Sequence, residues 1–439
     1  MNQLKKKKWR LPVYFLLVVV FSSFPGRARP ADAPAAATQG VPSAPSGLTI
    51  DEVVRIALEN QSTVKSAQYQ INAQDAVLHQ QMAAYYPTIT INNTYTTGST
   101  ALGGRAVDAF TGAGQVNMTL YNFGKREGLV QSARETLGAT QYAYKVTANN
   151  TVLAAKQAYL GVLQANALLK VNEETVNDRE VTLRQTQGFY DVGTKPRSDV
   201  TQAEANLYIA QANQIAAKNG VDIAWATLIN AMGVDDYPKQ PLAEELTVAP
   251  FPMTLDEARR TAFASRPELL QFASLLKAQD ELIAVARRNH LPDIAVNSKY
   301  GGASATFESP SRSWNIQLSL SIPIFNGFQT TYQVQQALAT YHSIKEQERV
   351  ERQQVALQVE QSYLNLSATR DAVRANEAAV KAAKENLDLH QGRYEVGYAP
   401  IVEVTDAQTT YTTAQTNYVN ALVANKLALA QLVNAMGGQ

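Results

Sequence analysis

Cysteine is missing from this chain of 439 residues. No disulfide can staple the fold and no N-terminal cysteine can carry a lipid, so stability rests on packing and assembly. Charge is sparse as well: Asp, Glu, Lys and Arg make up 18% of the residues against 45% hydrophobic, too apolar a balance for a disordered chain. After residue 30 no apolar run is long enough for a membrane helix, so any crossing of a bilayer has to be made with strands. Proline is absent from Phe123 to Lys195 and again from Phe328 to Ala399. Catalytic patterns are lacking too. Gly124-Lys125-Arg126 has neither the upstream glycine nor the hydroxyl of a phosphate loop, and no nucleophile elbow or zinc helix occurs. His79, His290, His342 and His390 are scattered without metal-ligand spacing and read as surface or strand-end residues. The chain therefore reads as a non-enzyme without cofactor or metal.

At the N-terminus, Lys5 to Lys8 and Arg10 precede the apolar run Leu11 to Phe21, and Gly26-Arg27-Ala28 follows. That order predicts a signal peptide over 1–28. Cleavage there removes six basic residues and no acids, leaving 33 basic against 38 acidic residues and arguing against a nucleic-acid partner. Residues 29–47, rich in Pro, Ala, Ser and Gly, predict a flexible leader.

The rest of the chain repeats itself. Thr49-Ile50-Asp51-Glu52 returns as Thr254-Leu255-Asp256-Glu257, and Ala73-Gln74-Asp75 as Ala278-Gln279-Asp280, 205 positions later. Tyr190-Asp191-Val192-Gly193 returns as Tyr394-Glu395-Val396-Gly397, and Asn230-Ala231-Met232-Gly233 as Asn434-Ala435-Met436-Gly437, with the offset reduced to 204. One residue has been lost between Tyr95 and Tyr121. The organisation is a first repeat at 48–233, a Pro-rich linker at 234–252 and a second repeat at 253–437.

Each repeat opens on a Thr with Glu three residues on, the signature of a capping box. Short helices then run to Pro87 and Pro292, where proline stops them. Alternation follows: Ile89, Ile91, Asn93 and Tyr95 share one face, and Ile316, Leu318, Leu320 and Ile322 alternate with Gln317, Ser319 and Ser321. Strands are expected at about 88–97, 114–122, 293–301 and 313–324, around Gly-rich loops at Gly98–Gly114 and Gly301–Ser313. The proline-free stretches predict helical hairpins at 125–232 and 328–436, with outgoing helices on the order of 100 Å long. Val162, Leu169, Val176, Leu183 and Tyr190 recur every seventh residue, as do Leu366, Val373, Val380, Leu387 and Tyr394. The returning helices carry alanine at 203, 210, 217, 224 and 231 and at 407, 414, 421, 428 and 435, so a left-handed coiled coil with close axes is expected.

Two strands per repeat make four per chain, which cannot close a barrel, and an open edge cannot sit in lipid. Copies must therefore combine: two close a filled eight-stranded barrel, three a wider twelve-stranded one. Thr, Asn, Ser and Gln would line the lumen. Tyr85, Tyr86, Tyr121, Tyr300, Trp314 and Phe325 would mark the lipid interface.

The duplicated strand–helix–turn–helix unit, the Tyr-x-Val-Gly phrase at both hairpin tips, and the exits Tyr121-Asn122-Phe123-Gly124 and Pro323-Ile324-Phe325-Asn326-Gly327 resemble the TolC family of outer-membrane efflux channels. The resemblance spans about residues 48 to 437. It implies an α+β membrane protein: a homotrimer with one twelve-stranded barrel in outer-membrane lipid and a coiled-coil α-barrel across the periplasm. It further implies a periplasmic adaptor and an inner-membrane pump as partners, with a drug, small molecule, metal or protein as cargo. A non-conducting tether and a wholly periplasmic scaffold are the competing readings.

Read on their own, Gly193 and Gly397 are helix C-terminal glycines, and Asp199 and Glu403, six residues beyond them, complement a helix dipole. Asp406 shares a helix face with Glu403. The resemblance implies more. Gly193, Thr194, Lys195, Gly397, Tyr398 and Ala399 would border the adaptor-docking tips. Glu403 and Asp406 would form acidic pore rings, and Asp199 and Tyr394 would help hold the gate closed. Family members often carry a basic residue two positions past the second tip glycine, where this chain has Ala399; Lys195 or Arg197 are its candidate substitutes. Gln202 stands where a counterpart of Asp406 would be, so the second hairpin is expected to carry the gate.

Overall fold

The computed structural model describes residues 47–99, 106–248, 250–304 and 311–438. The expected signal peptide and the leader as far as residue 46 lie outside them. Helices α1 (Ile50–Asn60) and α2 (Ser62–Met82) precede the hairpin of β1 (Thr88–Ser99) and β2 (Ala106–Tyr121). The long α3 (Lys125–Asp191) and its return α4 (Arg197–Met232) complete the first repeat. The second repeat has the same order: α5 (Leu255–Ser265), α6 (Pro267–Arg288), β3 (Asp293–Ser304), β4 (Ser311–Ser321), α7 (Gln329–Glu395) and α8 (Ile401–Ala435).

The capping box is complete only in the second repeat. There the Thr254 hydroxyl accepts from the Glu257 amide at 3.4 Å while the Glu257 carboxylate accepts from the Thr254 amide at 2.9 Å. In the first, the Thr49 hydroxyl accepts from the Glu52 amide at 3.2 Å, without the return bond. C-terminal carbonyls of the return helices are satisfied by the junction of the two short helices in the same repeat. Gln61 Nε2 donates to Asn230 and Ala231 carbonyls at 3.1 and 3.3 Å, so α2 starts where α4 ends. Likewise the Ser265 hydroxyl donates to the Met436 carbonyl at 2.6 Å and Arg266 Nη1 to that of Ala435 at 3.1 Å, setting α6 beyond α8.

All four strands form one antiparallel sheet in the order β1-β2-β3-β4. β2 starts at Ala106, not near Gly114, so the second half of the expected Gly98–Gly114 loop is strand, and β3 runs on to Ser304. The reason is contact across the sheet. A Cβ on Gly301 would collide with the Gly112 carbonyl and sit 2.7 Å from the Ala113 Cβ, so glycine lets β2 and β3 close up where the repeats join. β4 stops at Ser321, short of the expected 324, because Pro323 has no amide to donate. Leu120 is an extra residue in the β2–β3 register, within the segment where the repeats differ by one residue. Below the sheet Lys125 Nζ bonds the Asp293 carboxylate at 2.9 and 3.0 Å and Arg288 Nη1 donates to the Gly124 carbonyl at 2.8 Å, fastening one repeat to the other. At both strand-to-helix turns two successive residues are left-handed, Phe123-Gly124 and Gly327-Phe328, so each repeat strains one phenylalanine.

The helices of 67 residues are about 100 Å long. Near the strands they make a row α2–α3–α6–α7, and toward the hairpin turns a row α4–α3–α8–α7. A belt closes round the middle, where the linker is docked. Leu48 bonds to Pro241 and Ala243, the Tyr159 hydroxyl donates to the Leu48 carbonyl at 2.9 Å, and Tyr159, Leu228 and Met232 are fully buried beside them.

All five heptad alanines of α8 are buried, whereas on α4 only Ala203 and Ala210 are, since α4 is an outer member of its row. Tyr190, expected in the heptad core, is 40% exposed. Tyr85, expected at the lipid interface, packs instead beneath Arg126, whose guanidinium lies 4.0 Å from its ring centre. Tyr86, Tyr121, Tyr300, Trp314 and Phe325 are exposed as expected.

Gly301→Val should force β2 from β3. The expected result is loss of folded protein, whereas the helical control Gly220→Ala, where a Cβ meets open space, folds normally; equal yields of folded protein from both variants would contradict the close-approach argument.

Candidate functional site

The hairpin turns lie together at the end of the molecule remote from the sheet. Gly193 (φ +76°) and Gly397 (φ +84°) are left-handed, as helix C-terminal glycines are. In the first turn the Gly193 amide donates to the Tyr190 carbonyl and Thr194 to that of Phe189, each at 2.9 Å; in the second, Tyr398 donates to the Arg393 carbonyl at 2.8 Å. Pro196 and Pro400 then start the return helices. These turns leave Val192, Val396 and Tyr398 exposed, with Thr194 beside them.

Ala399, expected to border the docking tip, is only 3% exposed, packed with Tyr394, Ile401 and Val404 against Phe189 of the first hairpin. A methyl side chain after a tight turn can enter the seam between hairpins, where a long basic one could not. Phe189 meets Tyr394 edge-on, ring centres 5.8 Å apart, and Lys195 reaches over the same ring with Nζ 4.7 Å from its centre. Of the two candidate substitutes for the missing basic residue, Lys195 is thus the one whose contact with Tyr394 is seen, and it acts on the ring face.

Tyr394 is 2% exposed and its buried hydroxyl makes no hydrogen bond of normal geometry among the described residues. Burial, with the Asp199 carboxylate beside it, pushes the phenol up to about 12. Asp199 therefore bears on Tyr394 through its charge, while Tyr394 is held by its ring. Glu403 is not a free carboxylate. His390 Nδ1 lies 3.1 Å and Arg393 Nη1 3.5 Å from its Oε2. Asp406 is exposed, one turn further along the same helix face. His390, expected on the surface or at a strand end, is half-buried beside Glu403 instead. The signal that would have found it is its position across the turn: seven residues before Gly397, where Glu403 is six after, it must meet Glu403 in an antiparallel hairpin.

The comparisons with known proteins fit this geometry. A family described as outer membrane efflux protein matches residues 53–234 and 258–438. The chain belongs to the outer membrane efflux protein family. Among its relatives, the outer membrane protein TolC of Escherichia coli is 26% identical over 343 residues, covering 75% of this chain and 69% of its own. The outer membrane efflux protein BepC of Brucella suis is 25% identical over 388 residues, 87% of this chain and 83% of its own. The solved structure of CusC superposes with a TM-score of 0.79 at 18% identity, covering 94% of this chain and 99% of that one, and so shares the fold. As a member of the efflux family, the protein is placed in the outer membrane.

The raised phenol gives a sign to the tip's pH response. The neutral form is favoured in the folded tip, so its contribution is complete below the ordinary value of 10.0 and is lost as pH rises through about 12. Spin labels on cysteines at positions 192 and 396 should report separation of the turns over that interval, and Tyr394→Phe should abolish the response while leaving the turns together at neutral pH. Tyr394→Ala should separate them at neutral pH. A Tyr394→Phe variant already open at neutral pH would show that the hydroxyl, not the ring, holds the tip.

Proposed function

We propose that the protein is the exit duct of a tripartite efflux or type I secretion system, working as a homotrimer whose tip opens when a periplasmic adaptor and an inner-membrane pump dock. The observation that carries this reading is that, among the described residues, every tier ends in open edges: β1 and β4 in the sheet, α2 and α7 near it, α4 and α7 toward the tip. Three copies joined edge to edge complete a twelve-stranded barrel and a continuous helical wall at once. Apolar residues stand exposed on those outer helices. Ile215 and Ile223 of α4 are 70% and 58% exposed, and Val350, Leu357 and Leu364, a heptad apart on α7, are 64%, 48% and 58% exposed. A second copy is the natural cover for a stripe of that kind.

The sheet supports a pore more than a tether. Ile316, Leu318 and Leu320 are exposed on one face of β4, with Ile322 exposed just past its end, and suit lipid, whereas Gln317, Ser319 and Ser321 on the other face suit water. The helices reach about 100 Å from the sheet, a length suited to crossing a periplasm. At the tip, Val192, Val396 and Tyr398 form the exposed surface offered to an adaptor, with Gly193, Thr194, Lys195 and Gly397 shaping it. Threefold repetition would place three Asp406 carboxylates and three Glu403 carboxylates round the narrow end, the latter already compensated by Arg393 and His390.

Single-channel recording in planar bilayers tests the reading. A cation-selective pore of low conductance is expected from the purified trimer. Asp406→Asn should move the reversal potential toward zero more than Glu403→Gln does, because Arg393 already offsets the charge of Glu403. No pore under any condition would leave the tether, and equal effects of the two substitutions would remove the assigned difference between the acids.

A further inference from the structure

The register of the sheet sorts its charges by face. Thr90 pairs with Gln115, Gln115 with Lys299 and Lys299 with Asn315, so these four side chains make one row straight across all four strands. Paired residues share a side of the sheet, and sides alternate along each strand. The row therefore lies on the water-suited face of Gln317 and Ser319, opposite Ile316 and Leu318. In the next row away from the helices Ala113 pairs with Gly301, which leaves open space beside Lys299 on that side.

Lys299 is exposed and makes no hydrogen bond or ion pair among the described residues. No acid answers it on its own face. Asp293, six residues earlier in the strand, is the one carboxylate there among the described strand residues, and Lys125 Nζ already holds it at 2.9 and 3.0 Å. Asp108 and Arg312 fall on the opposite face: Asp108 pairs with Thr97 and accepts from the Tyr95 hydroxyl at 3.0 Å, and Arg312 pairs with Gly302.

Three copies about one axis set three Lys299 ammoniums at one height. Twelve strands about 4.8 Å apart and tilted by about 40° enclose a barrel roughly 12 Å in radius. The four-carbon stem of lysine spans roughly half of that radius, so the ammoniums stand on the order of 10 Å apart, about a Debye length at about 0.1 M salt. Their fields add, and they concentrate anions in the lumen. An anion with several charges gains most, because it interacts with more than one ammonium. The tip acids lie about 100 Å away along the helices, far beyond screening distance, so they do not cancel this field.

We propose that Lys299 forms a threefold basic ring inside the barrel, a binding station for small anionic cargo carrying two or more phosphate or carboxylate groups. This rests on the exit-duct reading and names a class of cargo for it. The amides of Gln115 and Asn315, beside Lys299 in the row, supply neutral donors to the same oxygens.

Tripolyphosphate, added on the barrel side of the full-length trimer in a planar bilayer, is the probe. It should block current in about 0.1 M KCl and lose most of that block in about 1 M, where the Debye length falls to about 3 Å. Lys299→Gln should raise the half-blocking concentration on the order of tenfold and move the reversal potential further toward cations, at unchanged trimer yield. Lys299→Arg should keep the block. Should Lys299→Gln fail to assemble, Lys299→Thr, which matches Thr90 in the row, takes its place with the same expected loss. A conducting wild type that tripolyphosphate does not block overturns the ring and leaves the duct reading standing. So does a block that the neutral variants leave unchanged, or one lost equally in Lys299→Arg. A wild type without any pore overturns the duct reading and the ring with it.

Discussion

An unpaired backbone amide in hydrocarbon has no water to turn to, and each one costs several kcal/mol. The four-stranded sheet carries a full strand edge on either side, at β1 and at β4. This one deficit governs the rest of the architecture. It cannot be removed by side-chain chemistry, only by another strand, and the chain has none left to offer among its described residues. In the proposed trimer association is part of folding in the membrane, and the helices have to suit the same symmetry. Among the described residues each helical tier is also a row of four with its outer members open. A rotation that paired β4 with a neighbour's β1 would also turn α7 toward the neighbour's α4 and α2.

Duplication makes that match possible. Because each repeat supplies one strand pair and one helical hairpin, sheet and helices keep the same fourfold count along the whole length. The stacking of α2 on α4 and of α6 on α8 depends on the same economy of parts. Gln61 and the pair Ser265 and Arg266 satisfy carbonyls that a helix end would otherwise leave bare, so two shorter helices continue each other as one column beside the long one. The repeats have not stayed identical where the contacts differ. Leu120 bulges in β2, which pairs on both sides, while β4, with one partner in the chain, has no such residue in its register.

The repeat, the four strands and the length of the helices were legible from the residues because they depend on periodicity and on proline. The strand limits were misjudged at the glycines. Gly112 reads as a loop residue and Gly301 as the end of its strand, yet the missing side chain of Gly301 serves a close approach to Gly112 and Ala113, some 189 residues earlier in the chain, which no local pattern reveals. At the tip, the acids and glycines were found, but the packing of Ala399 and the pairing of His390 with Glu403 were not. Both depend on which residues face each other across a turn or between hairpins. Tyr190 and Tyr394 show the limit most clearly. They occupy the same heptad position in the two repeats, yet one is 40% exposed and the other 2%. Sequence equivalence sets the helix face; the neighbouring hairpin decides what that face meets.

The difference between those two tyrosines bears on how a duplicated duct can move. A tube of equivalent hairpins joined by equivalent seams would have no preferred line of parting, and strain at its end would spread evenly. Here the two turns differ in their packing. Tyr394 and Ala399 are inserted against the first hairpin, whereas Val192 and Tyr190 remain outside. Equivalent positions in the two repeats therefore meet unlike surroundings at the tip, so the two turns are not interchangeable parts of the helical wall.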